Sequence, residues 1–153
     1  VNSFYKKGNS MPIQWTEDLS VGKEEIDNQH KELFNRINQL LDACNKGEGK
    51  EIAYKMFNFL EDYIIVHFTA EENLQKRYSY PEYEAHKSLH TKFIKEFSDL
   101  KKRFEAEGPT LPIVLQINRT VVDWLINHIK KVDKALGEFV KTFVKKKNGG
   151  FIV

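Results

Sequence analysis

A single cysteine, Cys44, stands in the whole chain of 153 residues. That excludes an internal disulfide and any zinc or iron–sulfur site built on several thiolates, and it points to a reducing, cytoplasmic setting. No apolar run comes near the ~18 residues of a bilayer-spanning helix, so a soluble chain with no membrane association is expected. The first ten residues, VNSFYKKGNS, hold no continuous apolar stretch and do not read as a secretory signal. An excess of one charge is missing too: 24 Lys and Arg against 22 Asp and Glu leave +2, too even to argue for a nucleic-acid partner or an anionic surface. The two-residue alternation of β-strands is absent throughout. What is present, 41% hydrophobic and 30% charged residues, is the balance of one globular domain at the usual length of one.

Four segments carry helical periodicity. In the first, from about Val21 to Ala43, Ile26, His30, Leu33, Ile37, Leu40 and Cys44 recur at spacings of three and four, and Gly47 and Gly49 end it. In the second, from about Lys50 to Lys76, the expected inward stripe is Ile52, Met56, Leu60, Ile64 (or Tyr63), His67, Glu71 and Leu74. Ser79-Tyr80-Pro81-Glu82 then has the pattern of a capping box opening the third segment, Tyr80 to about Ala106. That segment turns Tyr83, His86, His90, Phe93, Phe97, Leu100 and Phe104 to one side before Gly108-Pro109 stops it. Thr110 reads as the N-cap of the fourth, with Pro112 in its first turn. It runs to about Lys146 with Val114, Ile117, Val121, Trp124 or Leu125, His128, Val132 and Leu136 inward, and Gly149-Gly150 closes it.

Short connections make successive helices antiparallel, so the expected fold is all-α, an up-down-up-down four-helix bundle. The expected division is an irregular N-terminal arm over residues 1–20, pinned by Ile13 and Trp15, a bundle over 21–147 and a tail over 148–153. Met11 is an alternative start of the native chain. The tail lysines, Lys141 and Lys145 to Lys147, read as a solvated helix end whose cations suit the macrodipole.

All five histidines, His30, His67, His86, His90 and His128, fall on stripes drawn from apolar residues. One such histidine is more often a hydrogen-bonded core residue than a ligand. Five buried in one small core without a common partner would each carry a desolvation cost that a metal removes by using their lone pairs. His67 and Glu71 are four apart, as are His86 and His90; four positions bring a helix back to within about 40°. His128 and Asp133 are five apart, about 140° on a regular helix. Either they straddle the site or the helix widens there into a π-type turn, as functional sites often do. The set is too large for a four-coordinate zinc site and lacks sulfur for copper; imidazole with carboxylate suits iron or manganese. Five imidazoles, two bridging carboxylates and a bridging oxygen leave a pair of octahedral ions one position short of saturation. That vacancy suits a small diatomic ligand, which points to a di-iron centre for dioxygen. Ligand histidines must be neutral, so metal affinity is expected to fall as pH drops through about 6.5.

Ile26-Asp27-x-Gln29-His30-Lys31, His67-x-x-x-Glu71, His86-x-x-x-His90 and His128-x-x-x-x-Asp133 together resemble the hemerythrin pattern in order and spacing, over about Trp15 to Phe139. The resemblance, to a bacterial single-domain member, implies that His86, His90 and His128 bind a saturated iron. It implies that His30 and His67 bind the iron with the open position, and that Glu71, Asp133 and an oxo or hydroxo group bridge the pair. It implies reversible binding of dioxygen for storage, delivery or scavenging, rather than catalysis. Ile64, Phe68, Trp124, Leu125 and Ile129, apolar neighbours of the ligands, are expected to pack in the core and to line a dry oxygen pocket. The alternatives at the same centre are a peroxidase or nitric-oxide-handling enzyme, or an oxygen or redox sensor acting through a separate protein partner. A monomer is expected.

Overall fold

The computed structural model describes residues 13–47 and 49–148. The possible start at Met11 and the closing Gly149-Gly150 lie outside them. Among the described residues every regular element is helical: α1 (Glu24–Asn45), α2 (Lys50–Arg77), α3 (Tyr83–Glu107) and a fourth helix over 111–148, preceded by a 3-10 turn at Glu17–Leu19.

Cross-helix contacts give the directions. Gln29 meets His67 and Arg36 meets Phe59, while Glu61 meets Lys101 and Glu72 meets His90. His86 meets His128 and Phe93 meets Trp124 between α3 and the fourth helix, so in each successive pair the residue numbers climb on one side as they fall on the other and neighbours are antiparallel. The molecule is the expected four-helix bundle.

One half of its interior is hydrocarbon. Phe57 packs against Phe97 and Phe104 with ring centres 5.3 and 5.0 Å apart, among Ile37, Leu40, Leu60 and Ile113, all without exposed surface. The stripes of α1 and α3 are buried as expected, apart from half-buried Tyr83. The stripe of α2 departs from expectation in its first turns: Ile52 is 43% exposed and Met56 half-buried, while Ala53 and Phe57 are fully buried. The cause is a second apolar row. Ile52, Met56, Phe59, Tyr63 and Val66 recur at spacings of four and three along the outer flank, one position out of step with the inward row.

The α2–α3 connection also differs. Ser79 takes a left-handed φ of +51°. Its N–H donates to the Lys76 carbonyl, and the Tyr80 N–H donates to the Gln75 carbonyl. This is a Schellman closure of α2, with Ser79 in the place usually given to glycine. A residue committed to that conformation cannot be the extended N-cap of the next helix. The capping box is therefore not formed, and α3 starts at Tyr83 with Glu82 as its N-cap.

The fourth helix begins as expected after extended Thr110, with proline in its first turn, although the Thr110 side chain makes no capping bond. It is α-helical over Leu111–Ile117, widens to a π-helix over Asn118–Asp123, tightens over Trp124–His128, widens again over Ile129–Asp133 and continues as an α-helix over Lys134–Asn148. Leu125 is buried and Trp124 half-buried; Val132 is half-buried, the buried positions beside it being Ile129 and Asp133.

The chain before α1 is tied down at three places. The backbone of Ile13 exchanges two hydrogen bonds with the Asn38 side chain, at 2.9 and 2.8 Å. The Lys31 ammonium lies 4.3 Å from the Trp15 ring centre. Buried Asp27 accepts from Ser20 Oγ at 2.5 Å and from the Val21 N–H at 2.8 Å. Val21 then crosses the fourth helix at Gly137, so closely that a Cβ there would sit 1.9 Å from the Val21 carbonyl oxygen. Only glycine admits that crossing.

Candidate metal centre

Each helix brings its part of the cluster to the other half of the interior. α1 carries His30, α2 carries His67 and Glu71, α3 carries His86 and His90, and the fourth helix carries His128 and Asp133. None shows more than 5% of its surface. The five-residue step from His128 to Asp133 coincides with the second π-turn, and His128 Nε2 comes within 3.1 Å of Asp133 Oδ1. Of the two arrangements left open by the spacing, the widened turn is the one adopted.

Two overlapping groups result, each with its donor atoms within 4.8 Å of one another: His86, His90 and His128 with Glu71 and Asp133, and His30 and His67 with the same two carboxylates. Glu71 turns Oε1 to His86 and His90, at 2.7 and 3.4 Å, and Oε2 to His67 at 3.2 Å. Asp133 turns Oδ1 to His86 and His128, both at 3.1 Å, and Oδ2 to His30 at 3.1 Å. His128 Nε2 lies 3.1 Å from His86 Nε2 and 3.2 Å from His90 Nε2. Three imidazole nitrogens converging on one point repel as lone pairs or collide as N–H groups, unless a cation lies between them.

The electrostatics agree. Burial drives the Glu71 pKa up and the Asp133 charge adds to that, but the facing His67, His86 and His90 imidazoles outweigh both and hold the carboxyl well below its usual range. Asp133 is likewise pushed up by burial and brought far down by His128, His30 and His86. His86 is opposed by burial, yet Asp133 and Glu71 raise it from 6.5 to about 9. The cluster asks for positive charge.

A metal meets the demand. Both oxygens of Glu71 and of Asp133, and Nε2 of His30 and His67, are buried without a hydrogen-bond partner. In a native interior such atoms are rare and costly. Nitrogen and oxygen donors in two groups sharing both carboxylates fit a pair of hard-to-borderline ions. Cys44 takes no part: it is absent from both groups, and burial pushes its thiol up to about 11, where it is inert.

Outer partners orient the ligands. His67 donates its Nδ1–H to Gln29 Oε1 at 2.7 Å, and His90 donates to Glu72 Oε2 at 3.1 Å. An acceptor at Nδ1 fixes the proton there and leaves Nε2 free for a metal. His86 Nδ1 has Gln75 Nε2 at 3.0 Å. The sequence reading assigned no role to Gln29, Glu72 or Gln75. For Glu72 and Gln75 the only signal was position, within one helical turn of a ligand on the same helix; Gln29 also stands in the motif around His30.

Aromatic rings wall the cluster. Phe68 stacks on His90 at 3.8 Å and Trp124 on His128 at 4.3 Å. Beside it lies an apolar cavity of about 10 Å³, with Ile64, Phe68 and Leu125 in its wall. Leu33, Ile37, Phe93 and Val121 contribute further wall. Trp124 and Ile129, expected in such a pocket, lie outside this wall: Trp124 also stacks on Phe93, and Ile129 is fully buried beside His128. Tyr63 stands on the outer flank under the Arg36 guanidinium, 4.6 Å from its ring centre.

Known proteins are similar to this chain in sequence and in fold. The family model described as the hemerythrin HHE cation-binding domain matches residues 21–140. A bacteriohemerythrin from Methylococcus capsulatus is 39% identical over 72% of this chain and 82% of its own length. A myohemerythrin from Theromyzon tessulatum is 33% identical over 80% of this chain and 88% of its own. A crystal structure of wild-type hemerythrin superposes with a TM-score of 0.73 at 33% identity, covering 82% of this chain and 95% of that one. A chain with this fold, this buried cluster and these relatives belongs to the hemerythrin family.

Proposed function

We propose that this protein holds a pair of iron ions and binds dioxygen reversibly at one of them, as a store, carrier or scavenger rather than an enzyme. One observation carries the reading: each of Glu71 and Asp133 offers one oxygen to a three-histidine group and the other to a two-histidine group. His86, His90 and His128 would hold one iron, His30 and His67 the other, and both carboxylates would bridge. The second iron would have the smaller set of protein ligands and so would keep the open position. When bound, iron supplies the electrons that reversible dioxygen binding needs.

The chain's own groups do the rest. Five neutral imidazoles and only two carboxylates give the pair little anionic stabilisation of high oxidation states, which favours holding dioxygen over splitting it. Gln29 and Glu72 fix the ring orientation of His67 and His90. Leu33 and Ile64, each three residues from a ligand of the two-histidine group, line an apolar cavity of about one water's volume. Such an apolar space offers water no hydrogen bond. No helix among the described residues is long and apolar enough to cross a membrane, and we assign the chain to the cytoplasm on its one reduced, buried thiol.

The test is metal analysis with an anaerobic optical titration: reduce, admit oxygen, record the visible spectrum, remove oxygen. A pair of irons per chain and a coloured adduct that bleaches reversibly is the expected result. Irreversible oxidation at first contact with oxygen, or a protein that takes up no iron pair, overturns the proposal.

A further inference from the structure

Gln75 is fully buried on α2, four residues after Glu71. Its amide nitrogen lies 3.0 Å from His86 Nδ1, and its amide oxygen has no partner. This arrangement suits only one form of His86, the one whose Nδ1 bears a lone pair. When His86 gives Nε2 to a metal, its proton resides on Nδ1. An amide nitrogen has no lone pair to receive it, so two N–H groups would then face each other. A half-turn of the terminal amide exchanges oxygen and nitrogen in nearly the same space. It breaks no bond of Oε1, which has none, and gives His86 an acceptor.

On the reading of an iron pair above, we infer that Gln75 is a positioning residue that turns its amide to accept the His86 Nδ1–H and so commits His86 to coordination through Nε2. The three histidines of the larger group then differ. His90 donates to the carboxylate of Glu72, whereas His86 donates to a neutral carbonyl, a weaker acceptor. A weaker acceptor leaves the imidazole a poorer electron donor, so Gln75 sets the oxidation potential of the centre from outside the ligand set.

The experiment compares the full chain with Gln75→Glu and Gln75→Met, each loaded anaerobically with ferrous iron. Methionine keeps the length and apolar volume of the side chain but accepts poorly; glutamate keeps the acceptor and strengthens it. Three quantities are read: iron affinity, the reduction potential of the metal centre, and the solvent-exchangeable Nδ1–H signals in the proton NMR spectrum. The potential is expected to rise in the order Gln75→Glu, wild type, Gln75→Met. Iron affinity should drop about ten- to a hundredfold in Gln75→Met and recover in Gln75→Glu. The His86 Nδ1–H signal should shift in opposite directions in the two variants and exchange faster in Gln75→Met alone. A merely space-filling Gln75 would leave the potential unordered and the signal in place, and that result overturns the inference while the iron pair stands. A wild-type protein that takes up no iron pair removes the earlier reading and this one together.

Discussion

At the residue scale, His86 carries a proton that competes with a metal for its Nε2. Its pKa is raised to about 9 because the Asp133 and Glu71 charges outweigh burial. A proton must leave it before a metal binds, so apparent metal affinity should climb with pH up to about 9, beyond the ordinary histidine range expected from sequence. Folding of the metal-free chain should respond in the opposite sense. A raised pKa stabilises the folded state fully below the unfolded value near 6.5, and that stabilisation is lost as pH rises through about 9. Denaturant titrations of stripped protein at pH 6.5 and 9, beside iron titrations at the same values, check both halves; parallel trends would refute the assignment. Glu71→Ala removes the oxygen that lies 2.7 Å from His86 and the one facing His67. It should lose at least one iron per chain by metal analysis, and retention of the full pair with a reversible adduct would show that Glu71 does not bridge. The five histidines and Glu71 were legible in the sequence because each falls on an apolar stripe; Asp133, off the stripe of its helix, was legible only through its five-residue spacing from His128 within the hemerythrin-like pattern. Gln75 and Gly137 were not. A helical glutamine is ordinary until its partner on another helix is known, and the demand on Gly137 comes from Val21, distant in sequence.

Helix type and order were legible because α1 and α3 each carry a single apolar row. α2 carries two, and in its first turns the outer row of Ile52, Met56 and Phe59 is as apolar as the inner row of Ala53, Phe57 and Leu60. Periodicity alone cannot choose between rows one residue apart; the polar ligands His67 and Glu71 settle the choice only further along. The fourth helix posed the reverse case, where an odd spacing between two polar residues left a widened turn as one of two arrangements, and the structure adopts it. Its first π-turn, Asn118–Asp123, had no such marker. A π-turn holds one residue more than the α-helical turn it replaces. Deleting exposed Lys130 from the second π-turn should therefore restore a regular helix with His128 and Asp133 four apart, still on one face, and iron binding should survive. Deleting exposed Ser88 should turn His86 by about 100° relative to His90, from about 40° on one side of it to about 60° on the other, and iron binding should fall. Iron-to-protein ratios of the two deletion variants, with helicity by circular dichroism as control, decide the matter. Equal loss in both would contradict this account of the widened turn.

At the scale of the whole molecule, the bundle has one interior half that holds itself together by hydrocarbon and another that needs a guest. Unpartnered carboxylates and imidazoles in the second half oppose folding until a metal satisfies them. Metal removal should therefore lower the melting temperature markedly. Excess free metal at about a hundred times its dissociation constant contributes roughly 2.7 kcal/mol to the loaded fold. Calorimetry of loaded and stripped protein tests this, and equal melting temperatures would count against a buried metal pair.

The apolar cavity lined by Leu33, Ile64, Phe68 and Leu125 has a consequence in time. No residue in its wall shows more than 4% of its surface, so the average structure offers no standing passage. A small guest enters and leaves only during the brief intervals when packed side chains swing aside, motions that recur over nanoseconds to microseconds. Arrival is then a matter of waiting rather than of collision. Association of dioxygen should run below the diffusional ceiling of about 10⁸–10⁹ M⁻¹s⁻¹ and quicken steeply on warming. Trimming the wall by Val121→Ala should speed arrival and departure by similar factors and leave the equilibrium nearly where it was, so how long the protein keeps its guest is set apart from how tightly it holds it.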